Sequence, residues 1–145
     1  EEIRQLRNIK GAELLVYGYL PAMISTYCPG NVVKGAKNCT ENNYYLKDRT
    51  GAKFPVLNDC SKCRSEILNS RPLYLIPQMR DIYQSDVEVY RLDMTIETEE
   101  EALELVEIYR HSIMSPSNIT PLMKKITSKM QRDGFTKGHF YRGVK

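Results

Sequence analysis

Three short apolar runs, each followed by residues at helical spacing, predict an α/β chain with a parallel sheet: Ala12–Gly18, Pro72–Ile76 and Val87–Asp93. Unbroken apolar runs of this length suit strands covered on both faces. The 145 residues are enough for one compact domain with a sizeable core. A complete (β/α)8 barrel takes about 250 residues, so three strand–helix units cannot close one. The chain therefore reads as the second part of such a TIM-type barrel, with a cysteine-bearing loop and β-hairpin inserted over residues 19–63, after its first strand.

Taken in order, Ile3 and Leu6 stand at helical spacing and end a helix at Gly11. The first strand follows. Residues 19–43, with Pro21, Pro29, Gly30, Gly35 and several asparagines, read as irregular, and so long a loop in a compact domain implies function. Tyr44–Arg49 and Lys53–Leu57 flank Thr50–Gly51–Ala52 and predict a hairpin whose glycine takes the positive φ. Cys60 to Asn69 reads as a short helix before the second strand, and Gln78–Gln84 as another after it. Thr98 with Glu101 is a capping box that opens a helix with Ala102, Leu105, Val106 and Tyr109 on one face. Thr120 caps the last helix, with Pro121 at its first position and Leu122, Ile126 and Met130 along one stripe.

The composition, 41% hydrophobic and 27% charged, is that of a globular protein. There is no apolar run long enough to span a bilayer and no basic-then-apolar leader, which points to a cytoplasmic protein with no membrane partner. The chain opens at Glu1 inside a helical pattern, as a piece of a larger protein would, so the remainder of that chain is an expected partner. Lys124, Lys125, Lys129, Arg132, Lys137, Arg142 and Lys145 thicken toward the end and could meet RNA phosphates; a solvated helix face is the plainer reading. A part-barrel exposes strand edges and the side chains of Leu14, Val16, Leu73, Leu75, Val89 and Leu92, which predicts an oligomer for the isolated chain.

The four cysteines run Cys28-x10-Cys39-x20-Cys60-x2-Cys63. At a helix start, with Lys62 and Arg64 beside them, Cys60 and Cys63 would favour the thiolate that binds metal. Four thiolates suit a 4Fe-4S cluster, while a zinc ribbon usually offers two close pairs and only one is present. Disulfides and inert buried thiols remain open on spacing alone.

Glu13–Gly18, Leu20–Met23, Tyr27–Pro29, Tyr44–Arg49, Phe54–Val56, Asp59–Cys60-x-x-Cys63, Asn69–Ser70-x-Pro72–Leu73, Arg91–Asp93 and Gly138–Val144 together resemble the catalytic domain of the peptidase U32 family, in the same order over nearly the whole chain. The resemblance implies the C-terminal portion of a (β/α)8 barrel, residues 1–145, closed by the segment 133–145. It implies either collagenase-like peptidase activity, on a peptide substrate, or iron–sulfur-dependent hydroxylation of RNA bases or a small aromatic precursor without oxygen; a non-catalytic fragment that acts as an interaction module is the third reading. The Asn-rich stretch between Cys28 and Cys39 departs from the family pattern.

A peptidase needs a nucleophile with a base, or a metal-bound water. Only His111 and His139 offer an imidazole. His111 falls at a helix end, where it complements the dipole. His139 lies in a glycine-flanked segment suited to a barrel mouth. No HExxH, no Ser–His–Asp spacing and no phosphate-cradling glycine loop appears. Arg91 and Asp93 end a strand where barrel enzymes place working residues, and a mutual ion pair is the plainer alternative. Catalytic candidates are thus Arg91, Asp93 and His139; metal-ligand candidates are Cys28, Cys39, Cys60 and Cys63; substrate-binding candidates are Arg49, beside a turn, and Arg142.

Overall fold

The structure, a computed structural model, describes residues 11–29, 44–84, 87–115 and 117–138. These form a mixed α/β chain that divides into two compact units, one of Glu1–Gly18 with Pro72–Lys145 and one of Tyr19–Arg71. Among the described residues, no helix is long and apolar enough to cross a membrane.

The first unit has a three-stranded sheet. Strand β1 (Glu13–Gly18) is central, with β6 (Leu73–Tyr74) on one side and β7 (Val89–Asp93) on the other. β1 and β7 run parallel, as the apolar runs predict. β6 pairs antiparallel with β1, through Tyr17 with Tyr74 and Gly18 with Leu73, where an all-parallel sheet was expected. After only two residues, Leu75 leaves the strand into a 3-10 turn at Ile76–Gln78 with Pro77 inside it, so β6 is too short for a crossover helix to set its direction. Thr136 extends this edge of the sheet: its N–H donates to the Pro72 carbonyl and its carbonyl accepts from Tyr74 N.

Three helices belong to this unit: α1 (Met79–Tyr83), α2 (Glu99–Met114) and α3 (Pro121–Asp133). Both arms of the Thr98–Glu101 capping box are made, and Thr120 accepts from Met123 N at the start of α3. The buried face of α2 is Leu105, Ile108, Tyr109 and Ser112. Val106, expected among them, is exposed, because Ile108 completes the i, i+3, i+4 stripe with Leu105 and Tyr109. α3 buries Met123 and Ile126, one position round from the expected stripe at its first turn. Val16, Leu73 and Leu75, expected to lack cover, are buried; Val89 stays exposed.

The second unit is a four-stranded antiparallel sheet in the order β2-β5-β4-β3, from β2 (Pro21–Ser25), β3 (Tyr44–Lys47), β4 (Lys53–Asp59) and β5 (Arg64–Leu68). The predicted hairpin is present as β3–β4. Its turn is held by the Asp48 carboxylate, which accepts from Thr50 N, Ala52 N and the Thr50 hydroxyl, and Gly51 takes φ 89°. Two segments differ from expectation. Pro21–Ser25, read as loop, is an edge strand with its proline at the first position, where no ladder donor is lost. Residues 60–69, read as a helix, are instead a tight turn and β5: Ser65 and Ile67 are buried between β2 and β4, and this period-2 pairing overrides the short segment's helical propensity.

Candidate metal centre

The turn between β4 and β5 carries Cys60 and Cys63. Asp59 builds it. One carboxylate oxygen accepts from the N–H groups of Ser61 and Lys62 and from the Ser61 hydroxyl, so the turn's donors are satisfied locally. The Ser61 hydroxyl, then the Lys62 backbone and charge, hold the Asp59 carboxyl below its ordinary range. Cys63 takes φ 49°, the left-handed conformation that lets the chain reverse within four residues. The helix start expected at Cys60 is therefore absent, and Lys62 is turned to Asp59 at 3.5 Å.

Register then places the cysteines. β5 runs away from the turn, and its antiparallel neighbour β2 runs toward it, ending with Ser25 opposite Ser65. Cys28 follows three residues later, and it is buried. On the far side, β3 starts at the same end, with Tyr44 opposite Val56. Cys28, Cys60 and Cys63 thus belong to one end of one sheet, and β3 enters from that end. Cys39, five residues ahead of Tyr44 in sequence, lies outside the described residues. Of the readings left open by the spacing, Cys60 realises the disulfide, its partner lying outside the described residues, while Cys28 and the exposed Cys63 keep their thiols. Among the described residues, no three His, Cys, Asp or Glu side chains form a group that could hold a metal ion.

Alternation along the strands identifies two further residues that sequence reasoning missed. Asn58 and Ser65 face each other on the penultimate rung of the hairpin, and the Ser65 hydroxyl donates to Asn58 Oδ1 at 2.7 Å. Asn58 Nδ2 is buried and has no hydrogen-bond partner. Asn58 precedes Cys60 by two residues and Ser65 follows Cys63 by two, so the pair lies one rung in from the turn that carries the two cysteines. The Asn58–Ser65 pairing follows from the hairpin register once residues 64–68 are known to be β.

The other candidates lie elsewhere. Arg49 sits exposed on the β3–β4 turn, at the opposite end of β4 from the cysteines; seven residues of strand separate the two turns by roughly 20 Å. In the first unit, Arg91 is held between Glu13 at 2.7 Å and Asp93 at 3.0 Å, all three about half exposed. The mutual ion pair is thus formed, with Glu13 as a third member. Asp93 also stands against Gly18, where an added Cβ would come within 2.8 Å of its Cβ and carbonyl oxygen. His111, in the last turn of α2, borders a cavity of about 100 Å³ with Glu107, Arg110 and Thr120, and its buried Nε2 has no partner. No nucleophile is hydrogen-bonded to that nitrogen, so His111 is not placed as a base. His139 and Arg142 lie outside the described residues. Of the basic residues, Lys125 and Lys129 bind Glu104 and Glu101 of α2 at 2.6 Å, and Arg132 pairs with Asp133. These pairs engage three of the seven basic residues that were expected to meet phosphates.

Comparison with family models, with characterised proteins and with solved structures finds no match to this chain.

Proposed function

We propose that the Tyr19–Arg71 unit holds an iron–sulfur cluster on its cysteines, and that the chain serves an oxygen-independent hydroxylation of an aromatic ring, as its resemblance to the U32 family implies. The observation that carries the reading is the register that brings Cys28, Cys60 and Cys63 to one end of a single sheet. Thiolates are the ligands of such a cluster, and the four cysteines supply the number it takes. The buried, unpartnered Asn58 amide beside the turn is a donor of the kind that sulfur sites recruit.

Cys60, Cys63 and Cys28 would be three ligands, with Cys39 as the fourth. A bound cluster supplies one-electron chemistry. The protein's part is to hold thiolates, which requires the Cys60 disulfide to be reduced, as in the cytoplasm. The parallel β1–β7 pair supports reading the first unit as part of a barrel, and the antiparallel β6 departs from it. The ion-paired lysines of α3 favour a small free ring over RNA.

The test is anaerobic reconstitution of the reduced chain with ferrous iron and sulfide, followed by desalting. Retained iron and sulfide in the ratio of a four-iron cluster, lost in Cys60→Ser and in Cys63→Ser, is the expected result. Retention of zinc without iron, or of no metal, refutes the cluster.

A further inference from the structure

We infer that the outward face of α2 is an interface on which a second copy of this chain docks, its α2 running antiparallel about a two-fold axis level with Ile108 and Tyr109. The surface belongs to the first unit alone and does not depend on the cysteines. α2 carries two apolar faces. Leu105, Ile108, Tyr109 and Ser112 are buried in the unit. On the opposite side Leu103, Val106 and Met114 are exposed, at 65%, 46% and 75%. At about 100° per residue these three share one stripe with Glu107 and Arg110, which are exposed too. Large apolar side chains gathered on one side of a helix, rather than scattered singly, mark an interaction surface.

The order of residues in the stripe names the occupant. Leu103 and Met114 stand equally far from the level of the axis, and so do Glu107 and Arg110. An antiparallel copy therefore sets Leu103 against Met114 of the second copy at both ends of a contact roughly 16 Å long. At its centre it sets Glu107 against Arg110 of the second copy, twice. A parallel copy would set like charges opposite one another. Glu101 and Glu104 are engaged by lysines of α3, whereas Glu107 and Arg110 make no ion pair among the described residues, so both charges are open to a partner. Val106 comes level with the aliphatic stem of Arg110 of the second copy, which covers it. Beside Met114, a hollow of about 100 Å³ bordered by Arg110, Thr120 and Leu122 gives Leu103 of the second copy room to bury. One helix-to-helix contact falls at the small end of specific interfaces, so the dimer is a weak one, with Kd of about 10–100 μM.

The experiment is sedimentation velocity on the 145-residue chain over a range of concentrations, in reducing buffer so that no disulfide joins two copies. The variants are Leu103→Glu, Glu107→Arg, Arg110→Glu and the double Glu107→Arg/Arg110→Glu; all three positions are exposed, and a thermal melt checks that each variant is folded. The expected result is a monomer–dimer equilibrium that Leu103→Glu abolishes. Each single charge reversal should weaken it about tenfold, since both symmetric pairs then become repulsive, and the double reversal should restore it to within about twofold. A wild-type chain that stays monomeric at about 1 mM overturns the interface, leaving the face to the remainder of a longer chain or to solvent. Association that Leu103→Glu does not weaken overturns it too, and assigns the contact to the strand edges. Association that the single reversals weaken and the double does not restore overturns the antiparallel pairing.

Discussion

Replacing Tyr109 by Phe removes a single oxygen from the most heavily bonded point of the first unit. That hydroxyl donates to the Val16 carbonyl at 2.7 Å and accepts from Leu75 N at 3.0 Å, so one side chain of α2 fastens β1 to the residue that follows β6. The ring itself stays packed edge-on against Tyr17 and Tyr74, and no large cavity opens. Two lost hydrogen bonds would cost about 2 kcal/mol. Leu75 N, however, also reaches the Val16 carbonyl at 3.1 Å, so neither backbone group is left bare. The expected loss is therefore about 1–1.5 kcal/mol, against about 3–5 kcal/mol for Tyr109→Ala, which also empties the ring's volume. Urea unfolding followed by a probe in this unit measures it. Burial also pushes the Tyr109 phenol well above its ordinary value, so the folded state holds it protonated where the unfolded chain would ionise. Its contribution is full below the free value of 10.0 and falls as pH climbs past it, and Tyr109→Phe should flatten that alkaline loss. A Phe variant within about 0.3 kcal/mol of wild type, below the usual worth of one hydrogen bond, would refute the reasoning.

Gly18→Ala should destabilise the first unit by about 1–3 kcal/mol in a thermal or urea melt, because φ is 142° and the new Cβ would meet Asp93 at 2.8 Å; an unchanged midpoint would show that the β1–β7 ends have room to part. The carboxyl of Glu101 is held below its free value of 4.5 by its hydrogen bond to Lys129 and by the Thr98 backbone, so its contribution is present above that pH and is lost as pH falls through the folded value. Lys129→Ala should accordingly cost at most about 0.5 kcal/mol at neutral pH, the pair being substantially exposed, and nothing at pH low enough to protonate Glu101.

Much of the fold was legible where a local rule is strong. The Thr98–Glu101 box and the Thr120–Pro121 start each name a helix N-terminus by satisfying backbone donors within four residues, and both appear where expected. The Asp48–Gly51 turn was legible for the same reason. Residues 60–69 were not. Cys60–Cys63 is no familiar hairpin signal, and Arg64–Leu68 suits a helix or a strand equally until β2 and β4 lie on either side of it. That one misreading hid the Asn58–Ser65 pair, whose side chains meet only once Arg64–Leu68 is a strand beside β4.

The sequence by itself determined the capped helix starts, the β3–β4 hairpin, and the parallel pairing of the two apolar runs that became β1 and β7. Tertiary structure alone decided the rest. It made β6 antiparallel, paired Lys125 and Lys129 of α3 with glutamates of α2, tied Arg91 between Glu13 and Asp93, and set Arg49 at the far end of β4. It also brought Cys28 to the end of the sheet that carries Cys60 and Cys63, across more than thirty residues of chain. The physical reason is range. Caps and turns are satisfied by neighbours in sequence, whereas strand direction, ion pairing and convergence depend on which distant backbone supplies the missing hydrogen bonds.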